Sequence, residues 1–193
     1  GSGGVNYGVF LRDAGSMISS STGDIQVAGV GGTVGSLARG VVLNSGSRIS
    51  AGGSGTLTVD GTGGSTTGDA NYGVHVRDAN SRIDSAGGNI TVTGQGGGTG
   101  PSASDYGVTV EDGGIILAGG AGTVEVNGTG GAGNSFNRGL RITGSVSLIS
   151  SSGGNVSVTG TGGNIGQQNE GIFVGGAGQI TAGGTGTVTV HGT

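Results

Sequence analysis

The chain has 193 residues, 53 of them glycine, a net charge of −4, and neither lysine nor cysteine. Its seven basic residues are all arginine and form no cluster, which argues against a nucleic-acid partner; without cysteine it has no disulfides or thiolate metal sites. No apolar run approaches the roughly 20 residues of a membrane-spanning helix, and glycine with one proline (Pro101) and no Gly-X-Y period is not collagen.

The first predicted element is NYGVFL, from Asn6 to Leu11, and it recurs as ARGVVL, NYGVHV, DYGVTV, NRGLRI and NEGIFV. Its glycines, Gly8, Gly40, Gly73, Gly107, Gly139 and Gly171, are spaced 32, 33, 34, 32 and 32 residues apart. Next comes an isoleucine, Ile18, Ile49, Ile83, Ile116, Ile149 or Ile180, alternately 10 and 9 residues after the glycine. Two residues further the sequence alternates Ser20, Ala51, Ser85, Ala118, Ser151 and Ala182. The third element reads DIQVAG, TLTVDG, NITVTG, TVEVNG, NVSVTG and TVTVHG, and its first apolar residue always lies 17 after the frame glycine. Length varies only in the loop that follows. The repeat therefore has a fixed frame, one variable loop and a two-repeat superperiod.

Each repeat holds three short stretches of period-2 alternation separated by Gly, Ser and Asn clusters, which predicts strand, turn, strand, turn, strand, turn. Helix is excluded by the missing 3.6-residue stripe and by glycine, which costs about 1 kcal/mol per helical position. About five sizeable apolar residues per repeat are too few for a separate core, but stacking identical coils about 4.8 Å apart turns them into continuous columns. The predicted fold is all-β: a right-handed parallel β-helix of about six coils of 32–34 residues with three strands each. The whole chain, 1–193, forms one array, with coils at about 1–36, 37–69, 70–104, 105–136, 137–168 and 169–193. Such a rod is roughly 29 Å long. Asn6, Asn71, Asp105, Asn137 and Asn169, with Ala38 in the second coil, form a column expected to stack as a hydrogen-bonded ladder in a turn, where Asn also tolerates left-handed backbone.

The GGNITVTGTGG-like rhythm of the third element, with the GVxLxxGGxIxS-like rhythm of the first two, resembles parallel β-helix segments of large bacterial surface proteins: the filamentous haemagglutinin-like, autotransporter-passenger and β-strand-repeat proteins. The resemblance covers the whole chain and is one of pattern and composition. It implies an extracellular, cell-surface location and a filament, stalk or adhesin role. It carries no catalytic residues.

Candidate sites lie on outward columns. Phe10, Val42, His75 and Phe173 fall at outward parity on the first strand and are candidates for lateral contact. Asp78, Glu111 and Asp112 stack in the turn that follows and are candidates for a calcium ion held with backbone carbonyls. The plainer expectation there is an Arg77–Glu111 surface pair. No other cofactor is expected. Tyr72 and Tyr106, in adjacent coils, could stack on a sugar ring or pack at a corner. Only Thr91/Thr93 fits an ice-binding Thr-x-Thr array, which Asp60 and Glu125 interrupt. Acids are scattered and His75 and His191 lie on different strands, which argues against an enzyme. A carbohydrate-binding or polysaccharide-degrading β-helix is the alternative. The chain ends VTVHGT and begins GSGGVNYG, so the expected partner is the chain itself, by end-to-end stacking or within a longer array, with surface glycans or other filaments beside it.

Overall fold

The structure, a computed structural model, describes residues 4–193. Coil one holds β1 (Asn6–Arg12), β2 (Met17–Ser20) and β3 (Ile25–Val30); coil two holds β4 (Ala38–Asn44), β5 (Arg48–Ala51) and β6 (Leu57–Thr62). Coil three comprises β7 (Val74–Arg77), β8 (Arg82–Ser85) and β9 (Ile90–Gln95), and coil four β10 (Val108–Glu111), β11 (Ile115–Ala118) and β12 (Val124–Thr129). The last two coils run β13 (Leu140–Thr143), β14 (Leu148–Ser151), β15 (Val156–Thr161), then β16 (Ile172–Gly175), β17 (Gln179–Ala182), β18 (Val188–Gly192). The chain is a six-turn β-solenoid of three parallel six-stranded sheets, ordered β1-β4-β7-β10-β13-β16, β2-β5-β8-β11-β14-β17 and β3-β6-β9-β12-β15-β18. No helix occurs among the described residues.

Register follows the sequence frame. Val9 pairs with Val41, Val41 with Val74, Val74 with Val108, Val108 with Leu140 and Leu140 with Ile172, each one repeat apart. The inward residues of the three sheets form one core cluster running the length of the stack. Frame glycines are required because the start of each first strand crosses the end of a third strand. A Cβ on Gly107 would run into the backbone nitrogen of Thr129, and one on Gly128 into the carbonyl oxygen of Gly139.

The superperiod has a physical cause in the turn between the second and third strands. Coils two, four and six spend one more residue there and close it by backbone: Gly53, Gly120 and Gly184 take φ of 56°, 53° and 55°, and Gly55, Gly122 and Gly186 N–H donate to Gly52, Gly119 and Gly183. Odd coils use a serine hydroxyl instead. Ser20 Oγ accepts from Gly23 N–H at 2.9 Å, Ser85 Oγ donates to Gly88 O at 2.6 Å, and Ser151 Oγ donates to Gly154 O. Alanine suffices where the backbone closes the turn, so the column alternates Ser and Ala.

Left-handed backbone also falls in columns, two of which bear on the candidate residues. One comprises Asp13, Ser45, Asp78, Asp112, Gly144 and Gly176, after the first strand. The other comprises Leu37, Ala70, Ser104, Phe136 and Gln168, each one residue before Ala38, Asn71, Asp105, Asn137 or Asn169. Left-handed backbone is therefore not what those Asn positions provide; the residue ahead of each carries it.

Candidate functional site: the charged and aromatic face of the first sheet

The polar side chains with the most unusual surroundings gather on the outer face of the first sheet. Two columns meet there: Tyr7, Arg39, Tyr72, Tyr106, Arg138 and Glu170 just before the frame glycine, and Phe10, Val42, His75, Thr109, Arg141 and Phe173 two residues after it. The bend at the glycine brings the two columns side by side. Tyr72 and His75 make an edge contact with ring centroids 5.0 Å apart, and Tyr7 and Phe10 lie 4.7 Å apart.

Along the rod, rings stack on guanidinium groups and on one another. Arg39 sits 4.4 Å from the centroid of Tyr72, Tyr72 stacks on Tyr106 at 4.9 Å, and Arg138 lies 4.3 Å from the centroid of Phe173. A hydrogen-bonded line runs beside them. Arg39 Nη1 donates to His75 Nδ1 at 3.1 Å, His75 Nε2 meets Glu111 Oε1 at 2.7 Å, and Arg141 Nη1 donates to Glu111 Oε2. Arg138 Nε donates to Glu170 Oε2 at 2.6 Å.

Protonation states follow from these partners. Burial pushes the His75 imidazole down to about 4, against the pull of Glu111, so it is neutral at pH 7. Arg39 donates to Nδ1, so the ring proton sits on Nε2 and is given to Glu111. Burial pushes the Glu111 carboxyl up, but the hydrogen bonds and charges of His75 and Arg141 outweigh it and hold it at about 2. Burial raises the Tyr72 phenol to about 12 against the opposing Arg39 charge. Neither His75 nor Glu111 titrates near neutral pH, where an acid–base pair exchanges protons most effectively. As arranged, the line clamps coils two to five together from outside.

The candidate residues are placed as follows. Phe10 is exposed, at 43%, and Phe173 is half-buried beneath Arg138, but Val42 and His75 are only 1% exposed. Outward parity does not give them a free surface, because side chains about 4.8 Å apart along the ladder cover one another. Only the two phenylalanines, in the first and last coils, remain for lateral contact. Tyr72 and Tyr106 are 9% and 6% exposed, with ring faces occupied by each other and, for Tyr72, by Arg39. Neither ring offers a sugar a free platform.

Asp78, Glu111 and Asp112 do not converge. Glu111 turns to His75 and Arg141, while Arg77, rather than reaching Glu111, pairs with its neighbour Asp78 at 3.3 Å. Asp78 also accepts from Ser45 N–H at 3.2 Å. Asp78 and Asp112, with φ of 71° and 52°, are turn formers. Among the described residues no three His, Cys, Asp or Glu side chains group as metal ligands.

In the Asn column the side-chain oxygens of coils three to six accept from the backbone of the coil before. Ala38 N–H donates to Asn71 Oδ1 at 3.0 Å, Asn71 N–H to Asp105 Oδ1 at 3.0 Å, Asp105 N–H to Asn137 Oδ1 at 3.1 Å and Asn137 N–H to Asn169 Oδ1 at 2.8 Å. The amide nitrogens of Asn71 and Asn137 bind carbonyls of the variable loop, at Gly68 and Gly133, and that of Asn6 binds Val34 O at 2.7 Å. A direct side-chain rung exists at Asn71–Asp105, 2.8 Å, so the column mostly links side chain to backbone. Burial pushes the Asp105 carboxyl up, against hydrogen bonds from Ser102 and Asn71.

The variable loops also border a groove of about 340 Å³ lined by Gln95, Thr129 to Ala132 and Thr161 to Ile165, with no carboxylate in its wall. The sheets, the core and the clamp define a parallel β-solenoid. Comparison of the chain with protein-family models, with curated proteins and with solved structures returned no match.

Proposed function

We propose that the chain is a structural repeat segment of an extracellular bacterial surface filament, stalk or adhesin. The observation that carries this is the unbroken core along every coil, reinforced outside by the Arg39–His75–Glu111–Arg141 line. Each coil is bonded to the next by three parallel strand pairs, and bending the rod would stretch all three sheets. The polar groups of the clamp are committed to one another, which suits stiffness better than turnover. Recognition is left to the variable loops and to exposed Phe10 and half-buried Phe173. The test is electron microscopy of native surface material with an antibody to this segment. Label along fibres or stalks is the expected result; label confined to a soluble, unassembled species would contradict it.

A glycan-binding role is favoured by the loop groove, whose threonines, Asn164 and glycine backbone suit sugar hydroxyls. Binding to a glycan array that is lost on filling the groove, for instance by Ala132→Trp at its exposed wall, would support it.

A further inference from the structure

The outer face of the second sheet changes character along the rod. Its first outward column reads Met17, Arg48, Arg82, Ile115, Leu148 and Gln179, adjacent members pairing across neighbouring strands. Coils four and five therefore place two aliphatic side chains in single file where coils two and three carry guanidinium groups. Leu117, two residues along β11, stands half-buried on one side of that file.

Val146 stands on the other side, and it departs from the pattern of its position. Two residues before the second strand the backbone is left-handed in every coil, at Gly15, Gly46, Asn80, Gly113, Val146 and Ala177. Glycine and asparagine take that conformation readily; a β-branched residue at φ 62° is strained. The Val146 side chain is also 71% exposed, so burial in the core does not offset the strain. It leans over coil four, where a Cβ on Gly113 would come within 3.3 Å of Val146 Cγ2. Ile115, Val146 and Leu148, with Ala177 and Gln179 at the upper end, line an open apolar groove of about 490 Å³. Strain kept at an exposed apolar side chain beside a groove points to binding.

Below the groove stands Arg82, next to Ile115 in the ladder. Asp84, on the same strand and face, is committed to Arg48 of coil two at 2.7 Å. That leaves two guanidinium groups against one carboxylate. The Arg82 guanidinium has no partner among the described residues, and its Nε is buried without an acceptor. A guanidinium so placed is satisfied by an anion, and the groove beyond it by hydrocarbon.

We propose that this groove binds an aliphatic carboxylate, with the carboxylate on Arg82 and the chain laid over Ile115 and Leu148 against Val146. Charge complementarity selects the head. The single-file floor selects the tail, because it admits an extended chain and is too narrow for a helix or a second sheet. Arg82 and Gln179 are three coil steps apart, about 14 Å, the length of an extended dodecanoate. The groove lies on the side of the rod and is independent of the filament reading, which stands or falls separately.

Dodecanoate, kept below the concentration at which it aggregates, is the probe, and amide chemical shifts of the full chain by NMR are the readout. Saturable shifts at Arg82, Ile115, Val146 and Leu148 are expected. Arg82→Gln should weaken binding at least about tenfold, the loss of a charge-assisted contact. Val146→Gly should also weaken it and keep the fold, since coils one, two and four carry glycine there. Dodecyltrimethylammonium should bind these residues far more weakly, although the net charge of −4 favours a cation elsewhere. Shifts scattered over the surface, equal binding of the two amphiphiles, or undiminished binding by Arg82→Gln would overturn the proposal. The absence of any saturable shift would overturn it too.

Discussion

Val126 and Val190 belong to one column, on β12 and β18, and face the same way; the first is completely buried and the second is 52% exposed. They differ in one neighbour, the coil above. In a solenoid a core residue is made by the stack and not by its own coil, so a substitution has different consequences at the two levels. The largest contrast should come from Val126→Asp against Val190→Asp. The first buries an unpaired carboxylate, costs several kcal/mol and removes the cooperative thermal transition. The second leaves the melting temperature, read by circular dichroism, within a few degrees.

The outer clamp is confined to the interior in the same sense, and pH should expose it. His75 has a folded pKa of about 4, below its ordinary 6.5, so the unfolded chain binds its proton first. The stability this gives is fully present above pH 6.5 and lost as pH falls through about 4. Glu111, at about 2 against 4.5, loses its contribution lower, between pH 4.5 and 2. Urea titrations should show a fall on the order of 3 kcal/mol across the upper window. His75→Gln, with no titrating group, should flatten that window and narrow the lower one, because His75 helps to hold Glu111 down.

Gly128 and Gly192 repeat the comparison for backbone. A Cβ on Gly128 meets the Gly139 carbonyl of the coil above, while at Gly192 the nearest atom is Ile172 N at 3.4 Å. Gly128→Ala should cost about 1–3 kcal/mol and Gly192→Ala less than about 0.5, by chemical denaturation. A small effect, of opposite sign, is expected at Asp105, whose burial raises its carboxyl in a column otherwise carrying amides or alanine. Asp105→Asn keeps the acceptor for Asn71 and should change stability by less than about 1 kcal/mol, toward gain.

The coils, strands and inward columns were legible because spacing alone specifies them: the 17-residue interval from Gly107 to Val124 is the same in every coil. The clamp was not. Period-2 parity treats Tyr72 and His75 as unrelated, and the bend at Gly73 between them breaks that parity and brings the rings together. An available signal was the chemistry of the neglected column, Tyr7, Arg39, Tyr72, Tyr106, Arg138 and Glu170, in which rings, cations and an acid stack along the rod. The left-handed turn column was hidden for a different reason. Leu37, Ala70 and Phe136 have no preference for that backbone, which the stack imposes on them. Alternation of Ser85 with Ala118 was visible, but its cause, one turn closed by a hydroxyl and the next by backbone, needed the coordinates.

The most direct measurement is amide hydrogen exchange of the unaltered chain, resolved strand by strand. Slow exchange in β9 and β12, with β18 exchanging first, is the expected result. Equal protection in β12 and β18 would contradict the claim that a core residue is made by the stack and not by its own coil.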